Sequence, residues 1–136
     1  MSNVGIVEKM YDDFKRRNTE GFLGALDPDI LWVEPDLQAL PYPGVTKGRD
    51  TIAGHVFPKI AEIYEVLAFN PDRIVDGGDT ITVVGRAAAK GFDRPEEHFP
   101  FAHILEFLNG KVVRFDHFPD TYKVARTLGF LQAASR

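Results

Sequence analysis

The chain has 136 residues, a length typical of one domain with a core of its own. Its hydrophobic content of 44% excludes a disordered chain, and its net charge of −4, without a cluster of Lys or Arg, argues against a nucleic-acid binder. The absence of cysteine excludes disulfides and thiolate metal sites. The N-terminus lacks the pattern of a signal peptide, and no stretch approaches the roughly 20 apolar residues of a membrane span, so we expect a soluble, cytoplasmic protein.

The N-terminal quarter of the chain is predicted to contain two helices and a strand. Apolar side chains recur at helical spacing over residues 3–17. A second, short helix is expected over 22–26, where Asp27-Pro28 ends it. The following ILWVEP, at 30–35, has the composition of a strand.

The segment 36–48 contains two Pro and two Gly and is predicted to be a loop, either a lid at a cavity mouth or a rigid connector. A third helix should begin at Arg49-Asp50-Thr51, with Asp50 as its N-cap. Because proline lacks a backbone N–H, Pro58 should kink or restart that helix.

Two β-hairpins and a short helix are predicted after Tyr64. The first hairpin turns at Asp76-Gly77-Gly78-Asp79 and the second at Asn109-Gly110. The last helix should follow Asp120 as its N-cap and end at Gly129. This order is typical of an α+β fold whose N-terminal helices pack on the concave face of a curved antiparallel sheet. A homodimer formed through the sheet would cover its other face.

Two histidines lie on the apolar side of the second hairpin. His103 alternates with Phe101, and His117 follows Phe115 by two residues, so both imidazoles should point to the interior. A two-residue turn would pair His103 with Asp116 and would join an apolar side to a charged one. We therefore expect a three-residue loop with a bulge, which places His103 opposite Phe115 and His117 on the same face.

Glu34 is a third candidate, because it shares one side of its strand with Trp32. An inward carboxylate in an apolar cavity is a candidate general acid or base. Alternatively, Glu34 lies at the rim and pairs with Lys47 or Arg49. Each histidine, likewise, is equally explained as a packed core residue with one hydrogen-bond partner.

Over nearly its whole length the chain resembles the nuclear transport factor 2-like superfamily of cone-shaped, cystatin-like α+β folds. The resemblance is carried by the helices before DPDILWVEP, by YPGVTKGRDTI, by the IVDGGDTITVVG hairpin and by FAHILEFLNGKVVRFDHFPD. The last segment is most similar to the SnoaL-like polyketide cyclases, which implies a single SnoaL-like domain over residues 1–136.

In that branch, a histidine on the penultimate strand and an acid on the last strand serve the cyclisation. The resemblance therefore implies a catalytic role for His103. His117 stands where the cyclases have their Asp, and this departure leaves the aldol cyclase activity open. Asp120 matches an acidic residue common at the end of this strand, and it is equally suited to cap the last helix.

The related ketosteroid isomerase offers a second comparison, in which Glu34 takes the position of the catalytic Asp base. A gapless match places Met10 at the oxyanion tyrosine, with Tyr11 one residue away, and His103 replaces the protonated Asp. The isomerase oxyanion hole is not reproduced, so we do not expect steroid isomerisation. The chain also offers no inward Arg for the Asp-Arg-Asp set of limonene-epoxide hydrolase.

The expected function is cofactor-free acid–base chemistry on an apolar, carbonyl-bearing small molecule, by cyclisation, isomerisation or dehydration. His117 or Glu34 would remove a proton next to the carbonyl, and His103 would donate to the developing oxyanion. Further side chains are expected to line the cavity and bind the substrate: Tyr11, Trp32, Phe57, Phe99, Phe101, Leu105 and Phe115.

Three other functions fit the same residues. A non-catalytic module would hold a metabolite in the same cavity. His103, His117 and Glu34 would make a two-His, one-carboxylate metal site, but no tight local motif supports it, so we expect no metal. The third alternative is a structural domain that dimerises through its sheet around an incidental cavity.

Overall fold

The computed structural model describes residues 1–130 and has an α+β fold. Its helices are α1 (Asn3–Lys15), α2 (Thr19–Gly24), α3 (Arg49–Thr51), α4 (Phe57–Ile63) and α5 (Thr121–Thr127). Its strands are β1 (Leu26–Val33), β2 (Val45–Lys47), β3 (Tyr64–Asp76), β4 (Thr80–Gly91), β5 (Glu97–Leu108) and β6 (Lys111–Pro119). Among the described residues, no helix is long and apolar enough to cross a membrane.

The six strands form one curved sheet in the order β2-β1-β6-β5-β4-β3. The predicted α+β class with N-terminal helices against a curved sheet is confirmed. One pair differs from the antiparallel expectation, because β1 runs parallel to β6. These two strands are separated by most of the chain, so no short turn dictates their relative direction.

The N-terminal helices pack on the sheet face that carries His103. Val7 and Met10 of α1 are buried, and the ring of Phe14 lies 5.6 Å from that of Phe69 on β3. Helix α2 begins at Thr19, so the predicted helix over 22–26 is wrong at both ends. Asn18 caps α2 by accepting from the Gly21 N–H, whereas Leu26 already belongs to β1.

The loop predicted over 36–48 contains the short strand β2, which pairs with β1 and was missed. Helix α3 follows Gly48, which adopts a φ of +99°, so Asp50 is not its N-cap. A π-helical turn over Ile52–Val56 precedes Pro58, and α4 starts at Phe57. The predicted restart at Pro58 is confirmed, because a residue without an N–H cannot continue the regular hydrogen-bond ladder.

The β5–β6 hairpin has a different register from the one predicted. Leu108 pairs with Lys111 around a two-residue turn at Asn109-Gly110, where both φ angles are positive, as a type I′ turn requires. The bulge lies instead at Val113, inside β6, and it pairs His103 with His117. The predicted three-residue loop, its bulge at Gly110 and the pairing of His103 with Phe115 are therefore wrong, whereas the shared face of the two histidines is confirmed.

Candidate active site

His117 and Glu34 form a hydrogen-bonded pair on the inner face of the sheet. His117 Nδ1 lies 2.8 Å from Glu34 Oε1, and both side chains are largely buried. The Trp32 Nε1–H donates to the other carboxylate oxygen, Oε2, over 3.0 Å. The alternative of a rim carboxylate paired with Lys47 or Arg49 does not hold, because Glu34 is buried and its ion-pair partner within residues 1–130 is His117.

This arrangement determines which His117 nitrogen is available for chemistry. With Nδ1 turned to a carboxylate, Nδ1–H is the donor, and the lone pair of the neutral ring lies on Nε2. Nε2 is buried and has no hydrogen-bond partner among the described residues. Buried polar atoms are usually satisfied, so an unpartnered imidazole nitrogen on a residue that lines a cavity is suited to take a proton from a ligand.

His103 pairs with Tyr11 of α1, whose Oη lies 2.5 Å from His103 Nδ1. Burial, reinforced by the nearby His117, lowers the pKa of His103 well below its usual value. Burial also raises the pKa of the Tyr11 phenol. Both groups are therefore neutral at neutral pH, and a Tyr11 hydroxyl donating to Nδ1 leaves the ring proton of His103 on Nε2.

The two imidazoles are neighbours on adjacent strands. Their ring centroids lie 4.7 Å apart in an edge-to-face arrangement, and Phe69 of β3 stands 4.9 Å from His103 and 5.3 Å from His117. His117, the candidate base, and His103, the candidate hydrogen-bond donor, therefore lie side by side on one apolar wall. Sequence reasoning missed Phe69, although Leu67 and Phe69 show the period-two spacing of an inward strand face.

Both pairs open onto a cavity between the helices and the sheet, which encloses about 60 Å³. Six of the seven predicted binding residues line it: Tyr11, Trp32, Phe57, Phe99, Leu105 and Phe115. Phe101 lies outside this lining and packs instead behind His103, with a centroid distance of 4.6 Å. Trp32 stacks on Phe115 at 4.1 Å, so the single tryptophan reports directly on the cavity.

Leu40 and Tyr42, in the segment between β1 and β2, also line the cavity. Burial raises the pKa of both Tyr42 and Tyr64, and the nearby Glu34 carboxylate raises it further. These two phenols therefore stay neutral beside Glu34. Tyr42 lies in a proline-rich loop without periodicity, so the sequence indicated a loop at the cavity mouth but not that the Tyr42 side chain lines the cavity.

Asp120 does not lie in the cavity lining. Its Oδ1 accepts from the Lys123 N–H over 3.1 Å, which makes it the N-cap of α5. Within residues 1–130, no group of three or more His, Asp or Glu side chains is placed to hold a metal ion. Of the three side chains considered above as metal ligands, His117 is hydrogen-bonded to the Glu34 carboxylate. The third, His103, is hydrogen-bonded to Tyr11.

A sequence model of the SnoaL-like domain matches residues 7–115. The chain belongs to the SnoaL-like family. The matched span includes Glu34 and His103 and ends before His117 and Asp120. No curated protein sequence matches this SnoaL-like chain.

Solved structures support the same fold. A nuclear transport factor 2-like protein of unknown function from Burkholderia pseudomallei K96243 superposes with a TM-score of 0.89 at 27% identity, covering 95% of this chain and 99% of its own. TerC, co-crystallised with polyporic acid, gives 0.86 at 21% identity, with 93% and 97% covered. A protein with a ketosteroid isomerase-like fold from Catenulispora acidiphila DSM 44928, in complex with trimethylamine, gives 0.75 at 16% identity, with 91% and 92% covered.

Proposed function

We propose that this SnoaL-like protein is an enzyme that moves a proton next to the carbonyl of an apolar small molecule, without a cofactor. The observation that carries the proposal is the unpartnered Nε2 of His117, buried beside His103 in an apolar cavity. Cyclisation, isomerisation and dehydration all begin with such a proton transfer.

In this scheme His117 is the base. Its Nε2 takes the proton from the carbon next to the carbonyl, and the electron pair of that C–H bond moves to form an enolate. Glu34 holds the ring orientation and stabilises the imidazolium through Nδ1–H, as a carboxylate does for a histidine base elsewhere. In this proposal Glu34 is a positioning residue. The sequence left the identity of the base open between Glu34 and His117, and we assign the base to His117.

His103 is the donor to the enolate oxygen. A neutral imidazole that receives the Tyr11 hydroxyl at Nδ1 presents Nε2–H for donation. Its surroundings are apolar, and a preorganised donor is worth more in such a site than in water. The proton on His117 then returns to another carbon, to a leaving group or to solvent, according to the substrate.

The test is isotope exchange on a simple enolisable ketone. We would incubate the protein with 2-tetralone in deuterated buffer and follow loss of the α-proton signal by NMR. His117→Gln should slow the catalysed exchange by about 10²-fold or more, the usual contribution of a general base. His98→Gln is the matched control, because His98 is half exposed and pairs with Glu96 outside the cavity.

A non-catalytic binding module of the same fold is the competing function. It is favoured by the apolar lining of the cavity, which suits a held metabolite as well as a substrate. Two solved relatives with this fold contain small molecules, polyporic acid and trimethylamine. Binding of 2-tetralone without any acceleration of exchange would establish the binding function and exclude the enzymatic one.

A further inference from the structure

A second, wider space adjoins the cavity. It encloses about 360 Å³, against about 60 Å³ for the inner cavity, and opens between the helices and β3. We call it the vestibule. Six residues line both spaces and form a collar between them: Phe14, Phe22, Phe57, Ile60, Tyr64 and Leu67.

The inner cavity is small compared with the roughly 300–1,000 Å³ of typical ligand pockets. A ligand larger than its reacting carbonyl group must therefore extend beyond it. The collar is aromatic at its centre, with Phe22 lying 6.0 Å from Phe14 and 5.5 Å from Phe57 between ring centroids. A flat or extended ligand that reaches the vestibule must therefore pass between these rings.

The charges of the vestibule leave one cation without a counterion. Its two carboxylates are each paired, Asp13 with Lys9 over 2.6 Å and Glu65 with Lys90 over 2.8 Å. Arg17 also lines the vestibule, and within residues 1–130 it takes part in no ion pair. With each carboxylate neutralised by its lysine, Arg17 is the one charged side chain of the vestibule lining that has no ion-pair partner within residues 1–130.

The backbone at Arg17 is unusual as well. Its φ of +58° lies in the left-handed region, at the end of α1 where its N–H donates to the Phe14 carbonyl. Glycine is the common residue at this position of a helix, and a long side chain there is disfavoured. Arg17 adopts this strained conformation while its exposed side chain lines a ligand-sized space, which makes it a candidate for a binding role.

We infer that Arg17 binds an anionic group, a carboxylate, on the distal end of a substrate whose carbonyl head lies between His103 and His117. The inference rests on the proposed function for the identity of the head group. The carboxylate would remain in the vestibule, where its solvation is partly kept, and the guanidinium offers two parallel N–H donors to it.

The test uses two series of probes that share one phenol head, a mimic of an enolate. The first series is the ω-(4-hydroxyphenyl)alkanoates of increasing chain length, and the second is their primary amides, which are neutral and nearly isosteric. Quenching of Trp32 fluorescence reports entry of the head into the cavity. We expect the parent protein to prefer the carboxylates by about fivefold at the best chain length, the effect of one partly exposed ion pair.

Arg17→Gln should abolish this preference and leave the affinity for the amides unchanged. Arg16→Gln is the matched control, since Arg16 is the preceding residue, is exposed and pairs with Asp12. Equal loss in both variants, or no preference in the parent, would overturn the inference. Arg17→Gly should also lose the preference while raising the melting temperature, because glycine relieves the strain. A preference retained in Arg17→Gly would contradict the inference.

These outcomes separate this inference from the proposed function. Amide and carboxylate probes that bind equally refute only the role of Arg17. If probes of neither series bind, the cavity is not a ligand site, and both the role of Arg17 and the proposed function are refuted. Carboxylate preference together with absent ketone exchange would support the role of Arg17 and refute catalysis.

Discussion

Glu34 and His117 lie 83 positions apart in the sequence, yet Glu34 Oε1 lies 2.8 Å from His117 Nδ1. The parallel pairing of β1 with β6 brings them together, since Val33, the last residue of β1, pairs with Asp116, and Glu34 and His117 are the residues that follow these two. The result is an oriented imidazole whose second nitrogen is free.

Glu34→Gln should reduce ketone exchange by about 10²-fold or more while the fold is kept. The amide cannot stabilise an imidazolium as a carboxylate does, and it permits the wrong ring tautomer. Exchange of 2-tetralone protons, followed by NMR, measures the effect. Trp32→Phe removes one donor to Glu34 and should have a smaller effect. A Glu34→Gln variant as active as the parent would exclude the positioning role.

Tyr11→Phe should weaken binding of ionised phenols, which mimic an enolate, by about tenfold. Without the Tyr11 hydroxyl, the ring proton of His103 is no longer held on Nε2, so the donor to the oxyanion is lost. Titration of Trp32 fluorescence above the phenol pKa provides the measurement. Tyr122→Phe is the control, because Tyr122 is exposed on α5. Equal affinity in the Tyr11→Phe variant would contradict the proposed donor.

The buried, neutral His103 should make the folded state sensitive to acid. Its pKa is lowered in the folded state, so below about pH 6.5 the unfolded chain binds one more proton at this residue than the folded chain. Stability therefore falls as pH decreases, by about 1.4 kcal/mol per pH unit from this group. Urea unfolding from pH 7 to 5 should show a shallower loss in His103→Gln. An identical pH profile in the variant would show that His103 binds its proton equally in the folded and unfolded states, which would contradict the prediction.

Asp120 has two candidate roles that variants can separate. Asp120→Ala should reduce the free energy of unfolding by about 1 kcal/mol through loss of the α5 N-cap. Asp120→Asn keeps a cap and removes the carboxylate, so it should retain both stability and ketone exchange. Loss of exchange in Asp120→Asn, with stability unchanged, would instead support the catalytic role that the family resemblance implies.

The homodimer through the sheet stays a prediction, and Phe118 is the residue to test. It alternates with His117 on β6, faces away from the cavity and is 54% exposed, beside Ala102 of β5. If two copies pack through this face, Phe118→Lys should shift the protein from dimer to monomer in analytical ultracentrifugation. Phe130→Lys, a change at an exposed aromatic beyond α5, should not. A monomeric parent protein would refute the prediction.

Much of this protein can be predicted from short-range patterns. The turn at Asn109-Gly110, the restart at Pro58 and the cap at Asp120 each depend on the conformational limits of one or two residues. The alternation along β5 predicts an inward His103, because side-chain direction in a strand follows from position alone. The same periodicities place most of the cavity-lining side chains on inward faces, whereas the cavity itself was expected from the family resemblance.

The tertiary structure alone decided how these parts are paired. The bulge at Val113 is chosen by burial, since Val112 and Phe115 both reach the core only if one residue between them is left out of the ladder. The parallel β1–β6 pairing brings the Glu34 carboxylate within hydrogen-bond distance of Nδ1 of His117. The packing of α1 does the same for the Tyr11 hydroxyl and Nδ1 of His103. Local sequence cannot encode contacts between residues 83 and 92 positions apart, because they form only when the whole core excludes water.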